Sequence, residues 1–146
     1  MKKITVIGNT TWGFSLSYLI SKNVENISIL TRSIKEKDLL NQSRIHPNLS
    51  EKMKLPIKVN IESNTQKTIQ ESDTLIIAVP SNTLPENLSK IKELVTPEKY
   101  IISATKGISV NGKRMSEVIN NHLNNLPTNN IGVLSGPNLA SEISEG

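Results

Sequence analysis

The sequence predicts an α/β fold with a doubly wound, mostly parallel sheet, and three observations carry that expectation. Short runs rich in Ile and Val alternate with amphipathic stretches from one end to the other, the rhythm of repeated βα units. The first run, Ile4 to Ile7, leads at once into a glycine-bounded turn, Gly8-Asn9-Thr10-Thr11-Trp12-Gly13, which opens a helix. Finally, 146 residues with 36% hydrophobic and 21% charged side chains can bury one well-formed core but not two, so residues 1–146 are expected to form a single domain.

Taken in order, Ile4 to Ile7 is too short for a helix and fits a buried parallel strand. Trp12, Leu16, Leu19 and Ile20 follow at helical spacing and give the first helix one apolar face. A second strand is expected at 27–31 and a second helix at 34–41. Residues 41–58 show neither period and contain Pro47 and Pro56, which predicts a long exposed connection. Strands are read at 57–61 and 74–79, then a loop at 80–83. Leu84, Leu88, Ile91 and Val95 form another helical stripe, with Pro85 in its first turn, where a missing N–H costs nothing. A strand at 100–104, a helix carrying Met115, Val118, Ile119 and Leu123 and closed by Pro127, and a strand at 131–134 complete the alternation. Pro137 opens a last helix bearing Leu139 and Ile143.

Several classes of function are disfavoured. No apolar run approaches the roughly 18 residues of a membrane helix, and Ile4 to Ile7 is too brief for an export signal, so no membrane association is expected. The absence of cysteine excludes disulfides and thiolate metal sites and agrees with a cytoplasmic location. Positive charge gathers early: residues 1–60 carry ten Lys/Arg against four Asp/Glu, and residues 61–146 carry seven against nine. That asymmetry suits an anionic small molecule. With 3% aromatics and no Lys/Arg stripe on any one helix, nucleic acid is not the expected partner. His46 and His122 stand apart from each other and from clustered carboxylates, and no metal site or catalytic role is assigned to either.

The opening turn carries the chemistry. A helix N-terminus presents unpaired amides and a partial positive charge to an anion, and glycine lets the backbone come close. Gly8 and Gly13 occupy the first and third glycine positions of a dinucleotide fingerprint, while Thr10 stands at the middle one and puts a side chain where a pyrophosphate would pass. The fold expected is therefore Rossmann-like. Its ligand would sit outside the carboxyl ends of the strands, where the turn, Thr31-Arg32, Val79-Pro80-Ser81 and Thr105-Lys106-Gly107 should converge. Arg32 stands where an acidic residue would bind a ribose 2′-hydroxyl; it suits a 2′-phosphate, which favours NADPH over NADH. From its tight turn Lys106 can anchor an anionic substrate or polarise a carbonyl. Trp12 reads equally well as a core anchor of the first helix.

Together these segments resemble the NAD(P)-dependent glycerol-3-phosphate dehydrogenases. The likeness rests on the opening turn, Arg32 after the second strand, a loop ending in Leu55-Pro56, Ala78-Val79-Pro80-Ser81, Lys106-Gly107-Ile108, and Ser135-Gly136-Pro137 with Ala140 and Glu142, in the same order and spacing. It implies that Thr11, Trp12, Arg32, Lys106 and Ala140 contact the dinucleotide, beside Gly8, Thr10, Gly13 and Pro80 of the crevice. Lys106, Gly136 and Asn138 would lie near substrate, with Lys106 as the catalytic candidate. The implied reaction is reversible reduction of dihydroxyacetone phosphate by NADPH or NADH to sn-glycerol 3-phosphate, a phospholipid precursor. Asn138 stands where the family commonly has serine. The family's helical C-terminal domain is absent from these 146 residues, which leaves the crevice one wall and predicts little or no turnover by the chain alone. Apolar surface near Leu139 and Ile143 would be uncovered, predicting self-association or a partner chain. The competing expectation is a stand-alone nucleotide-binding or interaction module that has lost catalysis.

Overall fold

Strand β1 (Ile4–Ile7) lies in the middle of the sheet because its residues are apolar or small on both sides: Thr5 and Val6 are completely buried and Ile7 nearly so. The computed structural model describes residues 2–145. After β1 come α1 (Thr11–Ser21), β2 (Ile27–Leu30), α2 (Ile34–Ser43), β3 (Val59–Glu62), α3 (Thr65–Gln70), β4 (Thr74–Ile77), α4 (Leu84–Ile91), β5 (Tyr100–Ser103), α5 (Met115–His122), β6 (Ile131–Val133) and α6 (Ala140–Glu145). The sheet order is β3-β2-β1-β4-β5-β6, and every strand pairing is parallel. Chain direction across the sheet reverses between β1 and β4, which is where an open α/β sheet leaves a crevice.

Both faces are covered. Alternate residues of one strand enter different cores: Ile27 and Ile29 pack with Phe14, Leu40, Met53 and Leu55, whereas Leu30 joins Ile69, Leu84, Leu88 and Ile119. This two-sided burial explains why the strands read as continuous apolar runs.

Four expectations need correction. The six-residue α3 was not foreseen, since a helix with one large buried apolar residue, Ile69, shows no stripe; the Asn64 side chain starts it by accepting the Lys67 N–H at 3.0 Å. Strand β3 begins at Val59 rather than 57, and Ile57 is 91% exposed. The connection between α2 and β3 is pinned rather than merely exposed. Arg44 turns left-handed at the end of α2 (φ 56°), and its buried guanidinium donates to the carbonyls of Val59, Pro56 and Ile57 at 3.0, 3.1 and 2.9 Å. Met53 and Leu55 then enter the core beside Phe14. Four strands also end one or two residues short of the ranges read from sequence, although single ladder bonds continue, as from the Ala78 N–H to the Ile7 carbonyl at 2.9 Å.

Candidate functional site

At the carboxyl ends of β1, β2 and β4 lies a cleft of about 510 Å³. Among the anticipated residues, Gly8, Thr10, Thr11, Arg32 and Pro80 line it. Two glycines make its floor possible. Gly8 has φ +109°, and a Cβ there would stand 2.9 Å from the Ala78 carbonyl oxygen and 3.0 Å from Val79 Cγ1. A Cβ on Gly13 would fall 2.0 Å from the Gly8 carbonyl oxygen, so α1 can press onto β1 only without one.

Thr10 does something sequence could not reveal. As N-cap of α1 its hydroxyl accepts the Gly13 N–H at 3.0 Å and donates to the Ala78 carbonyl at 2.9 Å. The hydroxyl is thus turned back into the turn, although Thr10 still borders the cleft. The amides of Thr11 and Trp12, at the first two helical positions, have no acceptor among the described residues. We expect Thr10→Val, which keeps the shape and loses both bonds, to cost about 1–2 kcal/mol, read as a lowered urea midpoint.

Beside the turn, Asn9 donates its side-chain amide to Glu36 of α2 at 3.3 Å, while its Oδ1 is buried with no hydrogen-bond partner among the described residues. Glu36 also accepts the Arg32 N–H at 2.8 Å and pairs with the Arg32 guanidinium at 3.8 Å. The Arg32 side chain is 87% exposed at the mouth of the cleft despite this pairing. His46, which sequence reasoning passed over, also lines the cleft and is 7% exposed. Burial holds its pKa below the usual histidine value, against a hydrogen bond with the Asn9 backbone and the nearby charge of Glu36. Neither Glu36 nor His46 carried a signal of periodicity or motif.

The second group of anticipated residues lies toward β5 and β6. The Lys106 ammonium sits 5.0 Å from the centroid of the Trp12 ring and donates to the Asn138 carbonyl. Trp12 is itself held by its indole N–H on the Ala104 carbonyl at 3.1 Å, so it is both anchor and platform. A Cβ on Gly107 would stand 3.3 Å from Ser81 Oγ, placing the Lys106 turn against the segment after β4. Asn138 donates its N–H to the Gly136 carbonyl at 2.9 Å, and α6 starts at Ala140 rather than at Pro137, which leaves Leu139 ahead of the helix. Ile143 packs against the core group around Phe14, whereas Leu139 is 54% exposed, so only part of the expected apolar patch is open. Among the described residues no cluster of three or more His, Cys, Asp or Glu could hold a metal ion, and no helix is long and apolar enough to cross a membrane.

Comparison with known proteins follows the same lines. The family model for the N-terminus of NAD-dependent glycerol-3-phosphate dehydrogenase matches residues 3–146. The glycerol-3-phosphate dehydrogenase (NAD(P)+) of Dehalococcoides mccartyi strain BAV1 is 36% identical over 148 residues, a match covering 100% of this chain and 41% of the relative. The enzyme of the same description from Halothermothrix orenii is 30% identical over 145 residues, covering 99% and 41%. Among solved structures, glycerol-3-phosphate dehydrogenase of Plasmodium falciparum superposes with a TM-score of 0.83 at 27% identity, covering 99% of this chain and 43% of that one. The Coxiella burnetii enzyme gives 0.84 at 21%, again covering 99% and 43%. The chain spans about two-fifths of the length of these relatives.

Proposed function

Because the chain belongs to the NAD-dependent glycerol-3-phosphate dehydrogenase family and matches its N-terminus, we propose that residues 1–146 are the dinucleotide-binding domain of such an enzyme. The observation that carries this is the cradle made by Gly8 and Gly13 below two unpaired helix amides. A methyl group at either glycine would strike backbone. The residues present fit a dinucleotide: the Thr11 and Trp12 amides would hold the pyrophosphate, and the orphaned Oδ1 of Asn9 would accept from a hydroxyl. When bound, the nicotinamide would supply the hydride that reduces C2 of dihydroxyacetone phosphate, with a proton taken up at oxygen, to give sn-glycerol 3-phosphate for phospholipid synthesis.

The chain's own residues orient rather than react. Pro80 and Thr10 border the cleft, Arg32 at its mouth would pair with a 2′-phosphate and favour NADPH, and Ala140 would close on the dinucleotide from α6. Lys106 with Gly136 and Asn138 would take the anionic substrate beside the Trp12 ring. Cleft and substrate side are open to water in the described residues, so the isolated chain should bind dinucleotide and turn over little. Titration calorimetry with NADPH, NADH and ADP tests this, followed by NADPH consumption on adding dihydroxyacetone phosphate, with and without a helical domain taken from a relative. We expect binding by the chain alone and turnover only after the helical domain is added. No binding of any of the three removes the proposal, and binding without turnover in both settings leaves a nucleotide-binding module.

A further inference from the structure

His46 is a buried titratable group that the proposed reaction does not use, and its surroundings are specific. Its ring meets Phe14 of α1 edge-on, with centroids 5.6 Å apart and planes at 62°. Nδ1 accepts the Asn48 N–H at 3.2 Å, so the neutral ring carries its proton on Nε2. The Asn9 backbone, next to the glycine that shapes the turn, also acts on the ring and favours its charged form. From Asn9 the contacts continue through Glu36 to the Arg32 N–H. One imidazole therefore joins the connection after α2 to Phe14 of α1, and Asn48, Asn9 and Arg32 all border the cleft beside it.

We infer that neutral His46 is a positioning residue of this cleft, fixing the long connection at Asn48 so that dinucleotide affinity depends on its protonation. The inference rests on the dinucleotide reading above. A second ring proton would turn Nδ1 into a donor facing the Asn48 N–H, so that bond is lost and the segment from His46 to Asn48 must move. Among charged groups, the Glu36 carboxylate from α2 acts on the ring; Phe14 from α1, Asn9 from the turn and Asn48 from the connection bring no charge. Protonation thus opposes geometry to attraction: the new positive charge would draw a phosphate, while the lost Asn48 bond displaces the connection that borders the cleft. The buried packing of the ring makes geometry decide, and affinity falls as the medium becomes acid.

The test uses the whole chain and NADH, whose pyrophosphate keeps its charge between pH 5 and 8, with Trp12, the only tryptophan, as fluorescent reporter and calorimetry beside it. Affinity of the wild-type chain should fall about fivefold or more from pH 7.5 to 5.0. His46→Phe, which keeps a ring against Phe14, should bind about tenfold more weakly at pH 7.5 and lose the pH dependence. His46→Gln, whose side-chain oxygen can again accept the Asn48 N–H, should recover to within about threefold of wild type while remaining insensitive to pH. His122→Gln should follow wild type. With only two histidines, proton NMR assigns the His46 titration directly, and saturating NADH should lower its midpoint by linkage. Unchanged affinity in His46→Phe, pH-independent binding by wild type, tighter binding in acid, or a His46 midpoint unmoved by NADH each overturns the inference. Should His46→Phe fail to fold, the glutamine variant and the NMR shift decide. Failure of the wild-type chain to bind NADH at any pH overturns the dinucleotide reading as well, whereas the other outcomes leave that reading standing.

Discussion

Gly13→Ala is expected to destabilise the domain by about 3 kcal/mol or more and to lower Tm by roughly 10 °C, the largest stability loss for one added methyl group in this chain. The added Cβ would sit 2.0 Å from the Gly8 carbonyl oxygen and 3.3 Å from the Ala78 Cβ. Neither neighbour is a flexible tip. Gly8 follows the central strand, its N–H held by the Leu30 carbonyl at 3.2 Å and its backbone at φ +109°, while the Ala78 N–H is held by Ile7 at 2.9 Å. Relief requires lifting α1 off β1, which separates Phe14 and Leu16 from the cores they enter. Gly112→Ala is the control: it has φ +72° but nothing within 4 Å of the added Cβ, so its cost should be the backbone strain of about 1 kcal/mol. Thermal and urea unfolding followed by circular dichroism compares the two. A Gly13→Ala protein melting no lower than the Gly112→Ala protein would mean that helix and strand are not so closely packed.

Local signals in the sequence were enough to reach this architecture. Buried strands flanked by turn residues, and helices carrying Leu84, Leu88 and Ile91 or Met115, Val118 and Ile119, advertise themselves by spacing, and a parallel sheet covered on both faces follows from their alternation. The glycine-bounded turn marked the crevice. What stayed hidden depends on partners distant in the chain. Thr10 read as an obstruction because nothing nearby foretells that its hydroxyl will meet the Ala78 carbonyl, 68 residues on. Arg44 read as part of an exposed connection because its acceptors are backbone carbonyls at 56, 57 and 59, which any sequence would supply. Lone histidines are usually uninformative, and only the fold brings Phe14, Asn9 and Glu36 around His46. The likeness of Lys106 to a substrate-binding position did not show that Trp12 would carry its ammonium.

That last contact gives the largest expected effect on turnover. In an enzyme completed with a helical domain, Lys106→Met should lower kcat for dihydroxyacetone phosphate by about 10²–10³. In such an enzyme the bound nicotinamide would supply hydride to C2, and a cation fixed by Lys106 near the carbonyl oxygen would stabilise the charge developing there more in the transition state than in the ground state. Lys106 is suited to this because its ammonium is positioned before substrate arrives, on the face of Trp12 and at the Asn138 carbonyl. Methionine keeps the length and apolar stem without the charge. If Lys106 only gripped the substrate phosphate, KM would rise with kcat unchanged. Lys106→Arg should restore part of the loss, since the charge returns on a wider, planar group that Trp12 and Asn138 do not place identically. NADH affinity of the isolated Lys106→Met chain should change by less than about tenfold, because one exposed cation contributes little beside the helix amides. A kcat within threefold of wild type in the completed enzyme would remove Lys106 from the chemistry and leave it a binding residue.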